Sequence, residues 1–179
     1  GSSQGTSRAY APGLVGQSPP GGCPLARPVR VGVIDGPIDT SNPALAGVSI
    51  TQTSVLDRRD RLASSEHGTA VAALIASPGR QNGVAGFAPG GRMFGVTAFI
   101  KNGGRDVARL YSIAGACDWL ISRKVSIVNM SLAGPRNETF AAVLNQAASR
   151  GIVLVAATGN TGRGQVAFPA AHPSVIAVT

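Results

Sequence analysis

The chain has 179 residues, of which 44% are hydrophobic, 4% aromatic and 13% charged, with a formal net charge of +8. That length suits one domain with a sizeable core. The density of Val, Ile, Leu and Ala from about Val29 onward excludes disorder over the whole chain, and no apolar run reaches the ~18 residues of a membrane span.

The sixteen basic residues, fourteen of them Arg, are scattered rather than clustered. Their densest group, Arg58, Arg59 and Arg61, is interrupted by Asp60. No aromatic residues alternate with them as a base-stacking platform requires. The charge therefore reads as a solvated Arg-rich surface that favours acidic partners, with no nucleic-acid site.

Residues 1–28, rich in Gly, Ser, Pro and Ala, read as a flexible arm. Val29–Ile34 then signals a buried strand and Val48–Thr51 a weaker one. A helix begins near His67, carries Val71, Leu74 and Ile75 at helical spacing and stops before Pro78-Gly79. Met93–Phe99 reads as a strand. The spacing of Val107, Leu110, Tyr111, Ala114, Cys117 and Ile121 predicts an amphipathic helix. Val125–Met130 is strand-like, and Phe140, Val143, Leu144 and Ala147 mark another helix, ended by Gly151. Ile152–Ala157 and Val175–Val178 close the series. Strands alternating with helices predict an α/β fold with three αβα layers and a mostly parallel central sheet.

Cys23 and Cys117 are the only cysteines, and neither has zinc-ligand spacing. Cys117 falls on the apolar stripe of its helix, as a buried core residue would. A bridge to Cys23 would staple the arm to the body and would need an oxidising compartment.

In parallel sheets, function gathers beyond the carboxyl ends of the strands. Asp35 follows Val31–Ile34, Asn129 and Ser131 close the strand at Val125–Met130, and Thr158-Gly159-Asn160 follows Ile152–Ala157. His67 opens a helix, where the dipole disfavours imidazolium and keeps the ring available as a base. Singly, each has a structural explanation: Asp35 could shape the Gly36-Pro37 turn, His67 could be a capping histidine, and Asn160 a turn residue. Together, a carboxylate, a histidine and an amide donor make an acyl-transfer site that lacks only its nucleophile.

The combination resembles the subtilisin-like serine proteases, or subtilases. Val31-Gly32-Val33-Ile34-Asp35-Gly36 is similar to that family's catalytic-aspartate motif, and His67-Gly68-Thr69-Ala70-Val71-Ala72 to its catalytic-histidine motif. Val128-Asn129-Met130-Ser131-Leu132 resembles the strand lining the substrate cleft. Ala156-Ala157-Thr158-Gly159-Asn160 resembles the oxyanion-hole motif, and Phe168-Pro169-Ala170-Ala171-His172-Pro173 the segment after it. Gly36-Pro37 departs from the usual Thr-Gly or Ser-Gly, and Asn42 replaces a frequent histidine.

The resemblance implies that residues 29–179 form the N-terminal portion of a subtilisin-like catalytic domain, incomplete at its C-terminus. It implies Asp35 and His67 as triad members, Asn160 as the oxyanion donor, and Ser131, Leu132, Ala133, Gly134, Ala157, Thr158 and Gly159 as substrate-binding walls. The implied substrate is a protein or peptide, and the implied location is secreted or periplasmic.

The family's nucleophile lies in a Gly-Thr-Ser-x-Ala motif that opens a long helix. Gly5-Thr6-Ser7-Arg8-Ala9 spells the pattern, but Tyr10-Ala11-Pro12-Gly13 follows instead of an apolar helix, so the match reads as chance. Ser131 lines the cleft. The nucleophile is therefore expected on a C-terminal fragment or a second chain, which leaves this chain inactive by itself. The alternative is a pseudoprotease that binds peptides. No metal or cofactor is expected: Pro78–Gly83, where some relatives hold calcium, has no carboxylate and includes Arg80. Gly159–Gly164 as a phosphate loop fails because Phe168-Pro169 follows it rather than a helix.

Overall fold

Strand β1 (Arg30–Asp35) carries apolar side chains at successive positions, so both of its faces must be covered, and it lies inside the sheet. The computed structural model describes residues 28–79, 86–159 and 165–179. The expected arm, apart from Pro28, lies outside them, as do Cys23, Asn160 and residues 80–83 of the loop discussed for calcium.

After β1 the chain runs through β2 (Ser49–Ser54), helix α1 (Ser65–Ala76) and β3 (Arg92–Thr97). A hairpin of β4 (Phe99–Asn102) and β5 (Arg105–Ala108) leads to helix α2 (Leu110–Ser122). Strand β6 (Ile127–Met130), helix α3 (Glu138–Ser149), β7 (Val153–Ala157) and β8 (Val175–Val178) follow. Six strands pair in parallel in the order β2-β3-β1-β6-β7-β8. The chain thus leaves β1 to one side, returns through α2, and continues on the other. That reversal opens a crevice at the carboxyl end of β1.

Helix α1 packs one face against Val33, Ile38, Leu45 and Met93. Helices α2 and α3 cover the other, where Ile34, Val96, Leu120, Met130, Leu144 and Leu154 form the larger core. The fold is the expected three-layer α/β arrangement. Cys117 sits in this core as a free thiol.

Two expectations need correction. The helix expected from Val107 starts at Leu110, and Val107 belongs to β5. Gly103 (φ 56°) and Gly104 (φ 79°) both adopt left-handed backbone, the requirement of a tight two-residue hairpin turn. In α1, Leu74 is 49% exposed, while Gly68, Thr69, Ala72, Ala73 and Ala76 make the buried face. Val71 and Ile75 flank that face half-buried against the same core, so small side chains fill the closest approach and larger ones its margins.

Among the described residues, no helix covers the β7–β8 part of the sheet's α1-side face. Val153, Ile176 and Val178 are 43%, 55% and 50% exposed. Register places Ile127 beside Val153, Val155 beside Ile176 and Ala157 beside Val178 on that same face.

Candidate active site

Asp35 ends β1 and His67 lies in the first turn of α1, so the sheet's carboxyl edge and a helix N-terminus converge. Nδ1 of His67 is 2.9 Å from both carboxylate oxygens of Asp35. The Gly36 N–H donates to Oδ1 of Asp35 at 2.7 Å, which fixes the carboxylate from behind. A carboxylate facing Nδ1 favours the tautomer that carries the proton there, and among the described residues Nε2 has no hydrogen-bond partner. Asp35 is buried, whereas the His67 side chain is 63% exposed and reaches the crevice.

Three local features hold this geometry. Ser64 caps α1, its hydroxyl accepting from the Glu66 N–H at 3.2 Å. The Asp39 N–H donates to Thr69 Oγ1 at 2.9 Å and ties the helix to the loop after β1. Gly68 lets the helix backbone meet that loop, since a Cβ there would lie 2.7 Å from the Pro37 carbonyl oxygen and 2.8 Å from that of Gly36.

The dyad opens on a cavity of about 210 Å³ lined by Asp35, Ala63, Ser64, His67, Phe99, Asp106 and Ser131. A larger groove of about 490 Å³ adjoins it, between β5 on one side and Ser131, Leu132, Ala133 and Gly134 on the other. Phe140 and Phe168, edge to face at 5.4 Å, lie at this groove. Of the expected walls, Ser131–Gly134 line it directly. Ala157, Thr158 and Gly159 are not among its lining residues; Thr158 and Gly159 pack next to Ala133 and Ala167, and Ala157 pairs with Val178. The Ala167 N–H donates to the Thr158 carbonyl at 3.0 Å, and Gly134 and Phe168 exchange backbone hydrogen bonds at 2.8 and 3.1 Å. Gly159 (φ 85°) sits where a Cβ would be 3.1 Å from that of Ala133. Sequence reasoning missed the opposite wall, Phe99 and Asp106–Ala108; the signal that could have found it was Asn102-Gly103-Gly104 between two short half-apolar segments.

Two serines line the dyad's cavity, and neither is hydrogen-bonded to His67 among the described residues. Ser64 Oγ is the helix cap, and Ser131 Oγ accepts from Asn129 Nδ2 at 3.0 Å. The described residues thus provide a carboxylate-oriented imidazole beside an open groove, an arrangement chemically able to accept and return a proton.

Comparison with known proteins agrees with this geometry. The sequence matches the subtilase family over residues 26–179. The chain belongs to that family. It is 37% identical to a subtilisin of Bacillus pumilus over 183 aligned residues, covering 97% of this chain and 62% of that relative. It is also 37% identical to subtilisin E of Bacillus subtilis (strain 168), covering 97% of this chain and 45% of the relative. The self-cleaved protease domain of PatA superposes with a TM-score of 0.70 at 28% identity, over 83% of this chain and 56% of that one. The psychrophilic subtilisin-like protease Apa1 of Pseudoalteromonas sp. AS-11 gives 0.70 at 27% identity, over 83% and 35%. This subtilase chain therefore spans about half the length of the curated relatives it matches.

Proposed function

We propose that this chain supplies the acid, base and oxyanion half of a secreted serine endopeptidase. The observation that carries the reading is the pairing of both Asp35 oxygens with His67 Nδ1 at 2.9 Å, beside a groove open to an extended chain. A peptide enters between β5 and Ser131–Gly134 and pairs by its backbone, as strands add to a sheet edge. His67 Nε2 takes the proton of a serine hydroxyl as its oxygen attacks the scissile carbonyl, and Asp35 stabilises the imidazolium. The same proton then passes to the leaving amine. Water repeats the sequence in reverse and releases the acid product. Asn160, just beyond Gly159, is the proposed donor to the oxyanion.

The nucleophilic serine is proposed on sequence outside residues 1–179, in a segment that packs on the β7–β8 face at Val153, Ile176 and Val178. These three side chains are already about half buried, so completing their burial contributes on the order of 1 kcal/mol each. Parallel sheets are ordinarily covered on both faces. Residues 1–179 alone are then inactive, and the matched relatives' greater length supports this division.

Labelling of the full-length protein by a fluorophosphonate tests the reading. The adduct is expected on a serine outside residues 1–179, and His67→Ala is expected to lower kcat by about 10⁴-fold or more. Peptide binding without labelling identifies a peptide-binding pseudoprotease instead.

A further inference from the structure

Hairpin β4–β5 extends into a small three-stranded sheet. Leu62 bridges Ile100 in antiparallel fashion, the Ala63 N–H donates to the Phe99 carbonyl at 3.1 Å, and the Lys101 N–H to the Arg61 carbonyl at 2.8 Å. On the other side of β4, Phe99 pairs with Ala108 and Lys101 with Asp106. Residues directly opposite across antiparallel strands share a face. One face therefore carries two rows, Ala63–Phe99–Ala108 and Arg61–Lys101–Asp106.

Ala63, Phe99 and Asp106 all line the cavity that holds His67 and Asp35. This face is thus turned toward the dyad. Of the three charged residues in the second row, only Asp106 lines the cavity, and it also lines the adjoining groove. Its Oδ1 is 2.8 Å from Lys101 Nζ, with the two side chains 38% and 36% exposed. An ion pair that exposed is weak and exchangeable. A cation brought by a peptide backbone docked along β5 would be held at the right place to share or replace Lys101.

We propose that Asp106 is a specificity-determining residue that selects a lysine or arginine side chain of the substrate beside the scissile bond. The inference rests on the endopeptidase reading and narrows its substrate class. An acidic side chain at the same place meets a carboxylate in a partly desolvated cleft, where like-charge contact is unfavourable.

The test uses the full-length protein and a peptide series carrying Lys, Leu or Glu at each of the four residues before the scissile bond. At one position kcat/KM is expected to rank Lys above Leu above Glu, with about three- to tenfold between Lys and Leu. Asp106→Asn removes that ranking, bringing kcat/KM for the Lys and Glu peptides toward that for the Leu peptide of the same variant. Lys101→Met, which frees Asp106, strengthens the preference for Lys, and raising the salt weakens it. A structural role for the ion pair predicts the opposite pattern, with both substitutions lowering kcat/KM equally for every peptide; that result overturns the proposal, as does an unranked series in the unsubstituted protein. Should no peptide be cleaved, the endopeptidase reading fails by itself. Fluorescence anisotropy of the same labelled peptides then decides the role of Asp106, since equal affinities for Lys, Leu and Glu peptides refute it.

Discussion

Gly68→Ala separates two forces that act on one residue with opposite signs. In a helix interior, Ala is favoured over Gly by roughly 1 kcal/mol. At Gly68, however, the new Cβ meets the carbonyl oxygens of Pro37 and Gly36 at 2.7 and 2.8 Å, and ordinary contact begins at 3.4 Å. The start of α1 must then retreat by about 0.7 Å, the difference between 3.4 and 2.7 Å. Both obstacles are backbone atoms, so no rotamer change relieves them. Overpacking of this kind costs about 1–3 kcal/mol, which leaves a net destabilisation of about 0–2 kcal/mol after the helix gain. The displaced turn carries His67 away from Asp35. Misplacement by about 1 Å can cost on the order of 10²-fold in rate, so kcat/KM is expected to fall by about 10- to 100-fold. Urea unfolding measures the first effect and peptide hydrolysis by the full-length protein the second. Gly115→Ala in α2 is the control. Its Cβ would meet only Val55, at 3.8 Å, so propensity acts alone and the variant gains about 0.5–1 kcal/mol. If Gly68→Ala proves stabilising with unchanged kcat/KM, like its control, the close approach does not position the histidine.

Gly32 faces Leu120, whose methyl carbons would lie 2.8 Å from an added Cβ. Gly32→Ala is therefore expected to cost about 1–3 kcal/mol in the unsubstituted protein and nearly nothing when Leu120→Ala is already present, a coupling that a double-mutant cycle of unfolding free energies reads directly. Burial, with a smaller contribution from Asp118, pushes the Cys117 thiol up to about 12. Iodoacetamide at pH 8 should leave the Cys117 peptide unmodified in native protein and alkylate it after unfolding, and rapid native labelling would contradict the packing of α2. The Arg109 guanidinium, 2.8 Å from Asp60, holds that carboxyl below its ordinary range. A carboxyl depressed in the folded state stabilises above its unfolded pKa, and the contribution is lost as pH falls through the folded value. The Asp60 titration followed by NMR should move upward in Arg109→Gln, whereas an unmoved midpoint would show that the pair does not persist in solution.

The parts of the fold readable from sequence are those whose composition leaves one solution. Val31–Ile34 and Leu154–Ala156 are apolar at successive positions, which only a strand covered on both faces accommodates. Asp35 and His67 were readable for a related reason: a carboxylate ending a buried strand and a histidine opening a helix are groups whose placement the backbone already decides. Hairpin β4–β5 was not readable. It is an edge ribbon with one face turned to the cleft, so charged Lys101, Arg105 and Asp106 interrupt the apolar pattern, and Val107 falls at helical spacing from Leu110 and Tyr111.

Helix α1 misled in the opposite way. Hydrophobic spacing pointed to Val71, Leu74 and Ile75; Val71 and Ile75 do pack half-buried against the core, but Leu74 is exposed, and the fully buried positions are Gly68, Thr69, Ala72, Ala73 and Ala76. The hydrophobic pattern records how much apolar surface a position can bury, and it is silent on how near two backbones must come. Where the helix must bring His67 to 2.9 Å from Asp35, nearness is the tighter constraint, and it selects the smallest side chains. Thus Gly36, whose Cβ would meet the Ser64 carbonyl at 2.9 Å, and Gly68 carry as much of the site's geometry as the acid and the imidazole. The same logic accounts for Gly159 against Ala133, a lining residue of the groove. Around this dyad Gly36 and Gly68 mark the closest approaches of backbone to backbone, which hydrophobic periodicity does not record.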